Sequence, residues 1–222
     1  MHTPVPSAFT GTSNMIAVLV LLTEFGMFRA PLLRSQLRLY ALQSFLVTIL
    51  AGFLAISHHI PELYALGIIS FVLKVLIVPY VIRRFLDRAE ISLSDDRSLG
   101  VASMTLLAMA VSVVGFFTMN SIHFDSAALP TAALDISMAV VLVAFLLAIL
   151  RSDVVSQAIG FLSLENGVSI ASMVVASGLP LVIDIAFLFD LLVASVVFGL
   201  LMRVHHARAK TLSTENLDRL KG

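Results

Sequence analysis

Apolar residues run almost unbroken through seven stretches of this chain, at residues 13–28, 38–57, 61–83, 99–119, 130–150, 154–177 and 179–202. A helix of about 20 apolar residues crosses the roughly 30 Å hydrocarbon core of a bilayer. The pattern therefore predicts an all-α integral membrane bundle of seven transmembrane helices. Pro61, Pro130 and Pro180 fall at predicted helix starts, where the missing N–H of proline does no harm. The first stretch is short for a span unless it extends back to Thr10.

The basic residues give this pattern a direction. Arg29, Arg34 and Arg38 surround the first turn. Arg83, Arg84, Arg88 and Arg97 surround the third, Arg151 sits in the fifth, and Arg203, Arg208, Lys210, Arg219 and Lys221 lie in the tail. Thirteen of the fourteen Lys and Arg thus fall on one set of alternate turns, and the other set has none. Under the positive-inside rule this predicts the N-terminus outside and the C-terminus inside. The first ten residues lack a basic leader region followed by a cleavage site, so an uncleaved terminus is expected. The connection from Arg84 to Ser98 mixes both signs of charge. It reads as a solvated cytoplasmic loop or as a docking surface for a neighbouring subunit.

Composition agrees with the pattern. Among 222 residues, 59% are hydrophobic and 13% charged, with a mean hydropathy of +1.02; soluble domains are closer to 25% charged. Net charge is zero, so no basic footprint for nucleic acid exists. Cysteine is absent, which excludes disulfides, thiolate metal sites and iron–sulfur ligation by this chain. His58, His59, His205 and His206 lie in turns or the tail, without the spacing of a metal site.

The candidate chemistry lies inside the apolar stretches. Lys74, Glu165 and Asp190 sit near the middle of spans three, six and seven. A charge at the bilayer centre costs about 2.5–3.5 kcal/mol or more, and such residues mark ion or proton paths. Glu165 lies ~16 Å along its helix at 1.5 Å per residue. Gln157, Glu165, Ser169 and Ser172 recur at helical spacing, so one face carries them. Gly160 and Gly167 on the same helix suit close helix approach. Pro79, five residues past Lys74, cannot donate a backbone hydrogen bond and crowds the carbonyl of Val75, which predicts a kink beside the lysine. Three further acids are candidates. Asp135 and Asp184 lie towards the outer side, either hydrated or part of a path. Glu24 lies near the inner end of span one close to Arg29, and reads as an interfacial charge.

Two offsets suggest an internal repeat. Leu33-Arg34-Ser35 is matched by Leu150-Arg151-Ser152, 117 residues on, and Pro61 by Pro180, 119 residues on. They imply one membrane domain, 1–222, of two parallel three-helix units, 1–86 and 130–204. The uncharged helix 99–119 joins them, and a cytoplasmic tail follows at 205–222.

The string Gln157-Ala158-Ile159-Gly160-Phe161-Leu162-Ser163-Leu164-Glu165-Asn166-Gly167 resembles the hydrogenase-4 component E family. More distantly it resembles the small K subunit of respiratory complex I and the C subunit of Mrp-type antiporters. Arg151 stands for the basic turn of those proteins, Glu165 for the first central acid and Asp190 for the second. The likeness to the K subunit spans the last three helices and that to component E the whole chain. It implies a multi-pass subunit of the cell inner membrane, in a group 4 nickel–iron hydrogenase-like complex of the hydrogenase-4 or formate hydrogenlyase type. Antiporter-like membrane subunits and lipid would surround it. The nickel–iron and iron–sulfur centres would lie in partner subunits, with no cofactor on this chain. Its part would be non-redox, supplying protonatable groups to a midplane path. The same residues also suit an independent small ion or solute transporter. A retinal-type protein fits poorly, since it needs its lysine in the last helix, where this chain has Asp190.

Overall fold

A computed structural model describes residues 7–58, 61–89, 100–119, 131–151, 153–175 and 199, and every element among them is helical. The order is α1 (Ser7–Arg29), α2 (Leu33–His58), α3 (Pro61–Ser70), a π-helix (Phe71–Ile77), α4 (Val78–Ala89), α5 (Val101–Met119), α6 (Thr131–Leu150) and α7 (Val154–Val175). Among the described residues four windows are long and apolar enough to cross a membrane: Gly11–Arg29, Leu33–Ser57, Val101–Thr118 and Ala132–Leu150. The predicted seventh span, with Asp184 and Asp190, and the tail lie outside the described residues, as do residues 90–99 of the third connection.

Helix is the outcome lipid dictates, because each backbone N–H and C=O must be paired within its own segment. α1, α2, α7 and α6 close a ring, each packed on the next and α6 back on α1. α5 lies outside it against α6 and α1, and the segment from α3 to α4 lies against α2. Leu106, Val114 and Phe117 of α5 and Ile68 and Tyr80 of the α3–α4 segment are exposed. Exposed apolar side chains on this scale suit contact with lipid or apolar protein.

Glycine sets the closest approaches. A Cβ at Gly160 would lie 2.8 Å from the Ala148 nitrogen, and one at Gly167 3.0 Å from the Val141 nitrogen. α7 therefore lies backbone to backbone on α6, the packing expected of small residues in membrane bundles. At Gly115 a Cβ would meet the Ala139 backbone at 2.8 Å, which brings α5 equally near α6.

Around Lys74, where Pro79 predicts a disturbance of the helix, the structure shows a change of hydrogen-bond pattern. Ser70 and Val78 both keep right-handed helical angles, so the helix runs on from α3 into α4. Between them the backbone widens into a π-helix, and the Val78 N–H reaches back five residues to the Leu73 carbonyl. Pro79 accounts for this: its ring would press on the carbonyl four residues back, and one wider turn relieves that contact.

The ring encloses two apolar clusters. One joins Ile16, Ala17 and Val20 to Leu50, Leu54, Val140, Ile170 and Met173. The other joins Met27 and Phe28 to Tyr40, Val78, Leu147, Ile159 and Leu162. Between the clusters α1, α2 and α7 bury Thr23, Glu24, Gln43, Ser44, Ser163, Glu165 and Asn166, and this polar layer holds the site.

Candidate functional site

Lys74 and Glu165 meet inside the bundle. The Lys74 ammonium lies 2.6 Å from Glu165 Oε1, and the two residues are 3% and 8% exposed. The π-helix carries the lysine and α7 the acid. Lys74 also donates to Asn166 Oδ1 at 3.5 Å and to Ser169 Oγ at 3.4 Å. Ser169 in turn donates to the Glu165 backbone carbonyl at 2.9 Å, which leaves its lone pairs facing the ammonium. A buried ion pair repays its desolvation only when further hydrogen bonds satisfy both partners, and these contacts do so for the lysine.

Beyond Asn166 the polar layer continues into α2 and α1. The Asn166 amide nitrogen donates to Gln43 Oε1 and to Ser44 Oγ, both at 2.9 Å. The Gln43 amide nitrogen donates to Glu24 Oε1 at 3.0 Å. Ser163 Oγ lies 2.6 Å from Gln43 Oε1 and also contacts Glu24 Oε1. One connected network thus runs from Glu165 through Lys74, Asn166, Gln43 and Ser163 to Glu24.

Glu24 corrects the reading of an interfacial charge beside Arg29. It is fully buried and faces α2 and α7, whereas Arg29 is exposed. Five residues separate them, about 140° around an α-helix, so the two cannot share a face. Glu24 belongs instead to the buried stripe of Ser13, Ile16, Ala17, Val20, Thr23, Met27 and Phe28.

The other predicted residues are placed as follows. Asp135 is buried on α6, close to its start. Gln157 lies on the face of Glu165 by spacing, but its amide turns to the Arg151 carbonyl at 2.7 Å, towards the end of the helix. Asp184 and Asp190 lie outside the described residues. Arg151 is buried, and its guanidinium donates to the carbonyls of Met27, Phe28 and Ala30 at 3.3, 3.0 and 3.3 Å. It caps the C-terminal end of α1, where carbonyls lack helical partners. This bond places the first and fifth turns at the same end of the bundle.

Gln43 and Ser44 were not singled out in the sequence. α2 is apolar nearly all round, so nothing in its periodicity separates the buried Gln43 from an exposed polar residue. One weak signal existed: Gln36, Tyr40, Gln43 and Ser44 recur at helical spacing, and all four are buried.

Comparison with known proteins finds relatives that match most of the chain. Hydrogenase-4 component E of Escherichia coli K12 is 24% identical over 209 residues, which are 94% of this chain and 97% of that protein. The Shigella flexneri component E matches to the same extent. An uncharacterized Mycobacterium tuberculosis protein is 27% identical over 170 residues, 76% of this chain and 77% of its own length. No family model matches the chain, and no solved structure matches it significantly. Over nearly its whole length, then, this chain is similar to hydrogenase-4 component E.

Proposed function

We propose that this chain is a membrane subunit of a hydrogenase-like energy-converting complex, not itself catalytic, and that its buried Lys74–Glu165 pair handles protons. The observation that carries this reading is the 2.6 Å pair itself, held between helices of an apolar bundle. A titratable cation against a titratable acid keeps zero net charge while a proton moves between nitrogen and oxygen, and it can pass a proton to one neighbour as it takes one from another. The end-to-end likeness to hydrogenase-4 component E supplies the setting.

In this reading the chain crosses the inner membrane seven times, N-terminus out and C-terminus in, and Asp190 on the last span extends the path. Antiporter-like subunits flank it, lipid covers the exposed apolar faces, and the nickel–iron and iron–sulfur centres sit in partner subunits. Two measurements test this. Isolation of the chain from native membrane should bring antiporter-like and metal-carrying subunits with it; recovery of the chain alone contradicts membership of such a complex. Reporter fusions after Ser57 and after Gly222 should fall on opposite sides of the membrane, and same-side signals contradict the topology.

A further inference from the structure

The polar layer contains a second carboxyl, and its connections to the first are ordered. Lys74 donates to the Asn166 carbonyl oxygen. The Asn166 amide donates to Gln43 Oε1. The Gln43 amide donates to Glu24 Oε1. Every donor along this line points from the lysine towards Glu24. Such chains polarise one another, so a charge at one end is felt at the other.

The layer holds one ammonium and two carboxyls, all three buried. In a low-dielectric interior an uncompensated charge is costly, so the cluster is most stable when neutral. Neutrality with one Lys74 cation requires that one of the two acids be ionised and the other hold a proton.

Ser163 accommodates both arrangements. Its oxygen is within reach of Glu24 Oε1 and of Gln43 Oε1, but it has a single hydroxyl proton. When Glu24 is ionised, Ser163 donates to it. When Glu24 is protonated, Glu24 donates to Ser163, and Ser163 donates to Gln43. Each state gives the Ser163 proton an acceptor, and the hydroxyl rotates between them.

We propose that Glu24 and Glu165 are two alternative seats for one proton. Asn166, Gln43 and Ser163 couple them to the shared Lys74 charge. Protonation of Glu165 frees the field of Lys74 for Glu24, which then releases its proton; protonation of Glu24 does the reverse. The proton taken up at one carboxyl and the proton given up at the other leave the cluster charge unchanged, and the amides transmit the field without carrying a proton. Among the described residues, the elements packed against α1 also carry Arg34 and Arg38 on α2. Tyr40 of α2 is buried one turn before Ser44, Arg151 lies at the end of α1, and Asp135 lies on α6. α5 carries no charged residue.

This inference rests on the proton-handling reading of the Lys74 site, and its test is independent of transport. The full chain is placed in lipid bilayer discs, and the carboxyl carbonyl bands of Glu24 and Glu165 are followed by infrared titration, each assigned from its Gln variant. Coupled acids titrate in macroscopic steps that belong to the pair. Glu24→Gln should therefore move the Glu165 midpoint by about one pH unit or more. In a Gln43→Leu background, Glu24→Gln should no longer move it, by the logic of a double-mutant cycle. An unchanged Glu165 midpoint in Glu24→Gln overturns the proposal. That variant keeps size and hydrogen bonding, so it decides the question even where Gln43→Leu does not fold. Transport lost in Glu165→Gln, with the Glu165 midpoint unmoved by Glu24→Gln, overturns this inference alone. Transport retained there overturns the parent reading, and the midpoint still reports the coupling.

Discussion

Among the described residues two cations are buried, and they are settled in different ways. Arg151 meets the backbone carbonyls of Met27, Phe28 and Ala30 at the end of α1. Lys74 meets a carboxylate, an amide and a hydroxyl between the two apolar clusters. Arginine stays charged at every physiological pH, and a helix C-terminus offers fixed partial negative charge with no proton to exchange. That contact fastens two turns together. Lysine changes its charge readily when buried, and its partner is an acid that can do the same. In the proposed reading the fold uses one cation as a fastening and sets the other beside an acid, where protons are handled.

The largest expected effect breaks the lysine site. Lys74→Ala leaves Glu165 buried without its cation and should cost about 3–5 kcal/mol of stability, read by thermal unfolding of the complex. Replacing the pair together, Lys74→Met with Glu165→Leu, should restore most of that stability while proton transport stays absent. If the double variant transports protons, the pair is packing.

Arg151→Gln comes next. It removes the charged donor from three carbonyls and should cost about 2–3 kcal/mol, with the pH dependence of transport in the folded fraction unchanged. A shifted pH profile would erase the distinction between the two cations.

Exchanging the cation types sharpens the comparison with a smaller change in stability, about 1–2 kcal/mol for each swap. Arg151→Lys should keep transport, since a positive donor still reaches the carbonyls. Lys74→Arg keeps the cation but has no proton that can leave, so transport lost there places proton exchange at the Lys74 nitrogen, and transport kept leaves Lys74 a fixed charge beside Glu165. Transport by the Lys74→Arg variant at the normal rate would contradict any proton exchange at that nitrogen.

The smallest effect lies at the start of α7. Asp153 Oδ1 accepts from the Ser156 N–H at 2.7 Å, an N-cap. Asp153→Ala should cost about 1 kcal/mol in thermal unfolding and leave transport untouched.

The helices were legible because hydrocarbon thickness and the helical rise set an expected length, and six of the seven predicted stretches coincide with described helical segments to within a few residues at most ends; four of these are long and apolar enough to cross a membrane. α1 and α2 reach further towards the first turn than predicted, reducing the connection to residues 30–32. Lys74 and Glu165 were legible because a lone charge in an apolar run has few explanations. Which way each helix faces was not. α1 and α2 are apolar nearly all round, so no stripe shows that Glu24 and Gln43 point inward and Arg29 outward. α4 is the exception: Val78, Ile82 and Leu86 are buried while Arg83 and Arg84 are exposed, a division visible in its spacing. The π-helix was hidden for another reason. Proline announces that the α-helical bond pattern must change, but whether the helix bends or widens depends on what packs against it.

The central claim is that Glu165 exchanges a proton beside Lys74, and one substitution tests it most directly. Glu165→Gln keeps the size and hydrogen-bonding capacity of the side chain but has no proton to release at physiological pH. A structural bridge should survive it at a cost of about 1 kcal/mol. The measurement is electron transfer and proton uptake by vesicles carrying the intact complex. The account predicts an assembled complex with impaired proton translocation. Translocation at the wild-type rate and stoichiometry would contradict it.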